Sequence, residues 1–91
     1  MAELNKRLIN GIAEEMGREF IRAVEVHKFI YFNSGHEGYA VIKEELDELW
    51  EEVKKYPLED EKRLYKEAIQ IGAMAIRFIY DLLKNKRGLI K

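Results

Sequence analysis

Cysteine is absent from the 91 residues, so a disulfide framework, a thiol nucleophile and a zinc site built on thiolates are all excluded. An excess of either charge is absent too: 16 Lys and Arg stand against 17 Asp and Glu, which leaves no basic field to recommend nucleic acid as a partner. No uncharged apolar run approaches the roughly 18 residues of a membrane span, and Glu3, Lys6 and Arg7 already interrupt the amino-terminal stretch where a signal-peptide core would lie. A soluble, cytoplasmic protein without a membrane partner is therefore expected. Proline occurs once, at Pro57, and there is neither an internal repeat nor a low-complexity segment. What the chain does have is 47% hydrophobic and 36% charged residues, enough for a single domain over residues 1–91. A domain this short leaves roughly 35–40% of its unfolded surface exposed, so it needs either very regular helix packing or core borrowed from a partner.

Pro57 and the cluster Asn33-Ser34-Gly35 divide the chain into three segments, each with helical period. In the first, Ile9, Ala13, Met16, Phe20, Ala23, His27 and Ile30 recur at alternating spacings of four and three. That stripe predicts a long helix over about residues 3–32, continuous or broken near Gly11 or Gly17. Ser34 and Glu37 have the spacing of a capping box, which starts a second helix over about residues 35–55. Its apolar face comprises Ile42, Leu46, Leu49, Trp50 and Val53. The turn 56–60, with Pro57 ending one helix and Asp60 capping the next, leads into a third helix to about Lys86, with Gly88 as a left-handed C-cap. The apolar face of this third helix covers about half the wheel, where a helix with one buried side needs about 100°. Small residues Gly72, Ala73 and Ala75 would let one neighbour approach closely. The expected architecture is all-α: a helical hairpin plus a long N-terminal helix, completing a four-helix-bundle-type core by homo-oligomerisation.

Glu44-Glu45-Leu46-Asp47-Glu48 places four carboxylates in five residues of the second helix. At about 100° per residue, Glu45 and Glu48 come out about 60° apart and one turn apart along the axis, at the edge of the apolar face, with Glu44 just outside and Asp47 turned away. On the third helix Glu67, Gln70, Met74, Arg77 and Asp81 form a second strip along the edge of its apolar face. A short connection makes the two helices antiparallel, so the strips should meet.

Glu-Glu-x-x-Glu at 44–48, a connection of 18 residues over 49–66, and Glu67-Ala68-Ile69-Gln70 on the next helix resemble the signature of the MazG-like all-α nucleoside triphosphate pyrophosphohydrolases, whose second motif is Glu-x-x-Asp. The resemblance covers roughly residues 36–84. The longer strings His36-Glu37-Gly38-Tyr39-Ala40-Val41-Ile42 and Ile71-Gly72-Ala73-Met74-Ala75 are similar to small standalone members of that family. The resemblance implies a hydrolase that converts a nucleoside triphosphate to monophosphate and pyrophosphate with Mg²⁺, or Mn²⁺ in its place. It implies Glu44, Glu45, Glu48, Glu67 and Gln70 as the metal set, and Glu44 or Glu45 as the catalytic base. Lys54, Arg63 and Arg77 become candidate contacts to the triphosphate, and the assembly a homodimer or homotetramer. Where the family has Asp this chain has Gln70, so a neutral carbonyl replaces one anionic ligand and metal affinity should fall. Asp81 lies about 16 Å farther along the helix, too far to take its place.

Other readings of the same residues stand beside these. The glutamates of 44–48 also read as a solvated helix face near Lys43 and Lys54. His27 reads as a core histidine, His36 as a surface or cap residue, and Trp50 as core or interface. The alternative function is a non-catalytic helical oligomer that keeps the scaffold for interaction or nucleotide sensing.

Overall fold

Asn5 starts the first helix, its side-chain oxygen accepting from the Leu8 N–H at 2.9 Å. A computed structural model describes residues 3–28 and 30–85 and builds them into three helices: α1 (Lys6–His27), α2 (Gly35–Val53) and α3 (Glu61–Asn85), with no strand among the described residues. The all-α expectation is met. α1 runs unbroken through Gly11 and Gly17, but it ends at His27 and not near residue 32. Lys28 turns left-handed (φ 64°) and donates its N–H to the Val24 carbonyl at 2.7 Å, closing the helix. The apolar stripe continues past this point because Ile30 packs on the core from a loop. Arg77 of α3 holds that loop. Its Nε donates to the Ile30 carbonyl at 2.9 Å and a terminal nitrogen to the Tyr31 carbonyl at 3.4 Å, with the guanidinium 4.0 Å from the Phe32 ring centre. Buried Asp81 accepts from the Phe32 N–H at 3.2 Å.

α2 starts as its sequence requires, with the Ser34 hydroxyl oxygen accepting from the Glu37 N–H at 3.1 Å. The reciprocal half of the box lands one residue upstream: the Glu37 carboxylate accepts from the backbone N–H and side-chain amide of Asn33, each at 2.9 Å. At the other end Tyr56–Pro57 is a cis peptide, and the Asp60 carboxylate accepts from the Lys62 N–H at 2.9 Å to open α3. Glu52, 4% exposed, ties the two helices together by accepting from the Asp60 N–H and Lys55 Nζ, both at 3.0 Å, with Arg63 3.4 Å away. The Asp60 N–H, then Lys55 and Arg63, hold its carboxyl below the ordinary value. Gly88 lies outside the described residues.

α3 is the shared spine. α1 and α2 each pack along it, and among the described residues they do not pack on each other. α1 runs parallel to α3, from Glu15 beside Tyr65 to Glu19 beside Gln70, and the loop after it meets Arg77 at Ile30; α2 runs antiparallel, from Gly38 at Phe78 to Glu52 at Asp60. The core where they meet is Phe20, Ala73 and Met74, flanked by Val24, Ile30, Val41, Ile42 and Ile76. The close neighbour that Gly72 admits is α1 of the same chain, through Met16. His27 is exposed, so its assignment to the core is corrected: as the last residue of α1 it faces the open cleft between the helices instead of α3. The expected α2 face divides. Ile42 and Leu49 are half-buried, whereas Leu46 and Trp50 stay more than half exposed.

A Cβ on Gly38 would lie 2.5 Å from the Phe78 ring, whereas nothing lies within 4 Å of one on Gly11. Gly38→Ala should therefore destabilise the protein by about 1–3 kcal/mol through overpacking, and Gly11→Ala should stabilise it by up to about 1 kcal/mol through helix propensity. Urea denaturation of the two variants checks both signs.

Candidate metal centre and the cleft beside it

The α2–α3 hairpin brings Glu45, Glu48 and Glu67 together, one carboxylate oxygen of each lying within 4.8 Å of the others. Glu45 and Glu48 are neighbours because they are three apart on α2. Glu67 faces them because the antiparallel register is fixed by Glu52 at the turn and by Gly38 at Phe78. Glu45 and Glu67 are half-buried and Glu48 is exposed. Among the described residues no Lys or Arg forms an ion pair with any of the three.

Such crowding has an electrostatic cost. Desolvation first, then the charges of Glu48, Glu67 and Glu44 and a hydrogen bond with Glu48, push the Glu45 carboxyl from its ordinary 4.5 up to about 7. Glu67 is also raised, by desolvation and by Glu48, although Arg63 and Lys66 act the other way. A divalent cation would relieve this repulsion. The donor set fits one: three carboxylates without nitrogen or sulfur are hard ligands of the kind that Mg²⁺ and Mn²⁺ take, and both ions complete their shells with water or phosphate oxygens.

The group adjoins a cleft of about 550 Å³ between α1, α2 and the loop that joins them, over α3. Glu45, Gln70, Phe20, His27, Tyr31 and Arg77 are among the residues that line it. The volume is in the range of small-molecule sites. Of the residues named from the sequence, then, Glu45, Glu48 and Glu67 converge, and Gln70 shares the cleft with Glu45. Glu44 is exposed and outside the group, acting on it only through its charge.

The three candidate cations have protein partners. Lys54 pairs with Glu51, Arg63 approaches Glu52 at 3.4 Å, and Arg77 binds the α1–α2 loop, its pKa lowered by desolvation. Arg77 nevertheless lines the cleft. One participant was not legible in the sequence: Glu19 of α1, whose carboxylate accepts from the Gln70 side-chain amide at 2.7 Å. Its place at the border of the α1 stripe, three residues after Met16 and one before Phe20, was the signal available.

No family model, curated protein or solved structure matches the chain.

The raised Glu45 has a measurable consequence. The unfolded chain ionises this group near its ordinary 4.5 and the folded chain near about 7, so the folded state binds more protons between those values. Metal-free stability should fall as pH rises through that window and level off above it. Because the group opens on solvent, which screens the repulsion, the loss amounts to about 1 kcal/mol and not the several of a dry site. Urea midpoints at pH 5 and pH 8 measure it, and Glu45→Gln should remove most of the difference.

Proposed function

We propose that the protein is a Mg²⁺-dependent nucleoside triphosphate pyrophosphohydrolase. The observation that carries this reading is the meeting of Glu45, Glu48 and Glu67, the first of which lines a cleft large enough for a nucleotide, from the positions at which the chain resembles the MazG-like family. The three carboxylates hold the ion, Gln70 offers a neutral carbonyl beside them, and a bound cation supplies charge neutralisation to the triphosphate. Water attacks the α-phosphorus, the bond from that phosphorus to the bridging oxygen breaks, and pyrophosphate leaves with the electron pair. The water proton passes to a carboxylate. Glu44, exposed beside Glu45 and outside the converging group, is the one left free to take it.

The assembly belongs to the same proposal. The chain exposes 7436 Å², against the roughly 5,500 Å² of a folded monomer of 10.8 kDa. Leu46, Trp50 and Val53 on α2, and Ile79 and Leu83 on α3, are all exposed. A homodimer or homotetramer that covers these faces completes the four-helix core. Sedimentation should give a dimer or larger species, and Trp50→Glu should shift it toward monomer; a wild-type monomer at micromolar concentration contradicts the assembly.

The second reading, a non-catalytic scaffold for interaction or nucleotide sensing, is favoured by the engagement of Gln70 with Glu19 where an anionic ligand would stand. Pyrophosphate release separates the two. With Mg²⁺ or Mn²⁺ and a panel of nucleoside and deoxynucleoside triphosphates, the wild type should release pyrophosphate from at least one, and Glu45→Gln or Glu67→Gln should cut the rate by about 10²-fold or more. Release from none, by a protein that still binds nucleotide, favours the scaffold.

A further inference from the structure

Gln70 is the position at which the metal set loses a charge, and its side chain is not free to turn. Its amide nitrogen lies 2.7 Å from a carboxylate oxygen of Glu19, which reaches across from α1. Glu19 is held in turn by Arg22, one turn on along the same helix: Nε donates to one carboxylate oxygen at 2.9 Å and a terminal nitrogen to the other at 2.5 Å. The hydrogen bond from Arg22 is the largest influence on the Glu19 carboxyl and, with that from Gln70, holds it below the ordinary value despite partial burial. An ionised carboxylate only accepts, so the amide end facing it must be the NH₂.

We propose that Glu19 is a positioning residue for Gln70: by binding the amide NH₂, it leaves the carbonyl oxygen as the end that Gln70 offers to a divalent cation at Glu45, Glu48 and Glu67. This rests on the metal-site reading above. Gln70 stands three residues after Glu67 on α3 and lines the cleft with Glu45, so it is placed on the side of the helix where a ligand is needed. Without Glu19 the amide has two orientations, and one turns a pair of N–H donors toward the cation. With Glu19 in place a single orientation remains. Donation to an anion also draws electron density onto the amide oxygen and makes it a better ligand, as a second carboxylate does for a metal-bound histidine. α1 thus returns, through a hydrogen bond, part of the negative charge that the Asp-to-Gln departure on α3 removes.

Mn²⁺ binding measured by isothermal titration tests this in two backgrounds. Glu19→Ala should weaken Mn²⁺ binding by about 10–100-fold, whereas Glu19→Gln, whose carbonyl can accept the same N–H, should stay within a few-fold of wild type. In a Gln70→Asp background the ligand carries its own charge, and Glu19 becomes a like-charged neighbour. There the same Glu19→Ala change should leave affinity unchanged or raise it. Should the alanine variants not fold, as judged by circular dichroism, Glu19→Met keeps the length of the side chain, drops the acceptor and carries the same comparison. An equal loss in both backgrounds, which a purely structural Glu19 or a directly ligating one would give, overturns the proposal, as does no loss in the wild-type background. Absence of Mn²⁺ binding by the wild type overturns the metal site itself and the proposal with it, whereas tight binding indifferent to Glu19 overturns the positioning role alone.

Discussion

Close approach to α3 from two sides is the constraint on which the rest of the molecule depends. On one side Gly72 admits Met16 and Ala73 is wholly buried, so α1 lies near enough for Glu19 to reach Gln70. On the other, Gly38 admits the Phe78 ring, and α2 lies near enough for Glu45 and Glu48 to meet Glu67. A larger residue at either glycine would move a helix and with it a group of the site. Because α1 and α2 meet α3 but not each other, the space between them stays open as the cleft. Arg77, which clasps residues 30 and 31, lines it together with Tyr31.

Electrostatics then separates the two sides of the cleft. Toward α2, desolvation and then the neighbouring carboxylates raise the Glu45 and Glu67 carboxyls, an arrangement that destabilises the metal-free chain and that a bound cation would relieve. Toward α1, Glu19 is matched by Arg22 and Gln70 and stays ionised. Glu52 at the hairpin turn is likewise matched, by the Asp60 N–H, Lys55 and Arg63. Glu19 and Glu52 are thus ion-paired, whereas among the described residues the converging three have no Lys or Arg partner. That contrast favours binding over a merely solvated helix face.

Much of this was legible in the sequence, for local reasons. Ser34 and Asp60 cap the helices they were expected to cap, and the spacing of Glu45 and Glu48 placed both at one edge of α2. The short connection through Pro57 was enough to set Glu67 opposite them. The failures came where tertiary contacts override local period. Ile30 continued the α1 stripe, yet it packs from a loop held by an arginine 47 residues later. His27 lay on the stripe and is nonetheless exposed, because Lys28 ends the helix there. Glu19 was missed because its importance depends on which residue of α3 faces it, and the parallel register of α1 on α3 is set by the fit of Met16 at Gly72.

The proposed role of Glu45, Glu48 and Glu67 is to hold a divalent cation between them, and anomalous diffraction from crystals grown with Mn²⁺ would locate that ion. A manganese peak is expected within bonding distance, about 2.0–2.3 Å, of oxygens from all three carboxylates. A protein saturated with Mn²⁺ that shows no peak between them, or whose ion sits on other side chains, contradicts it.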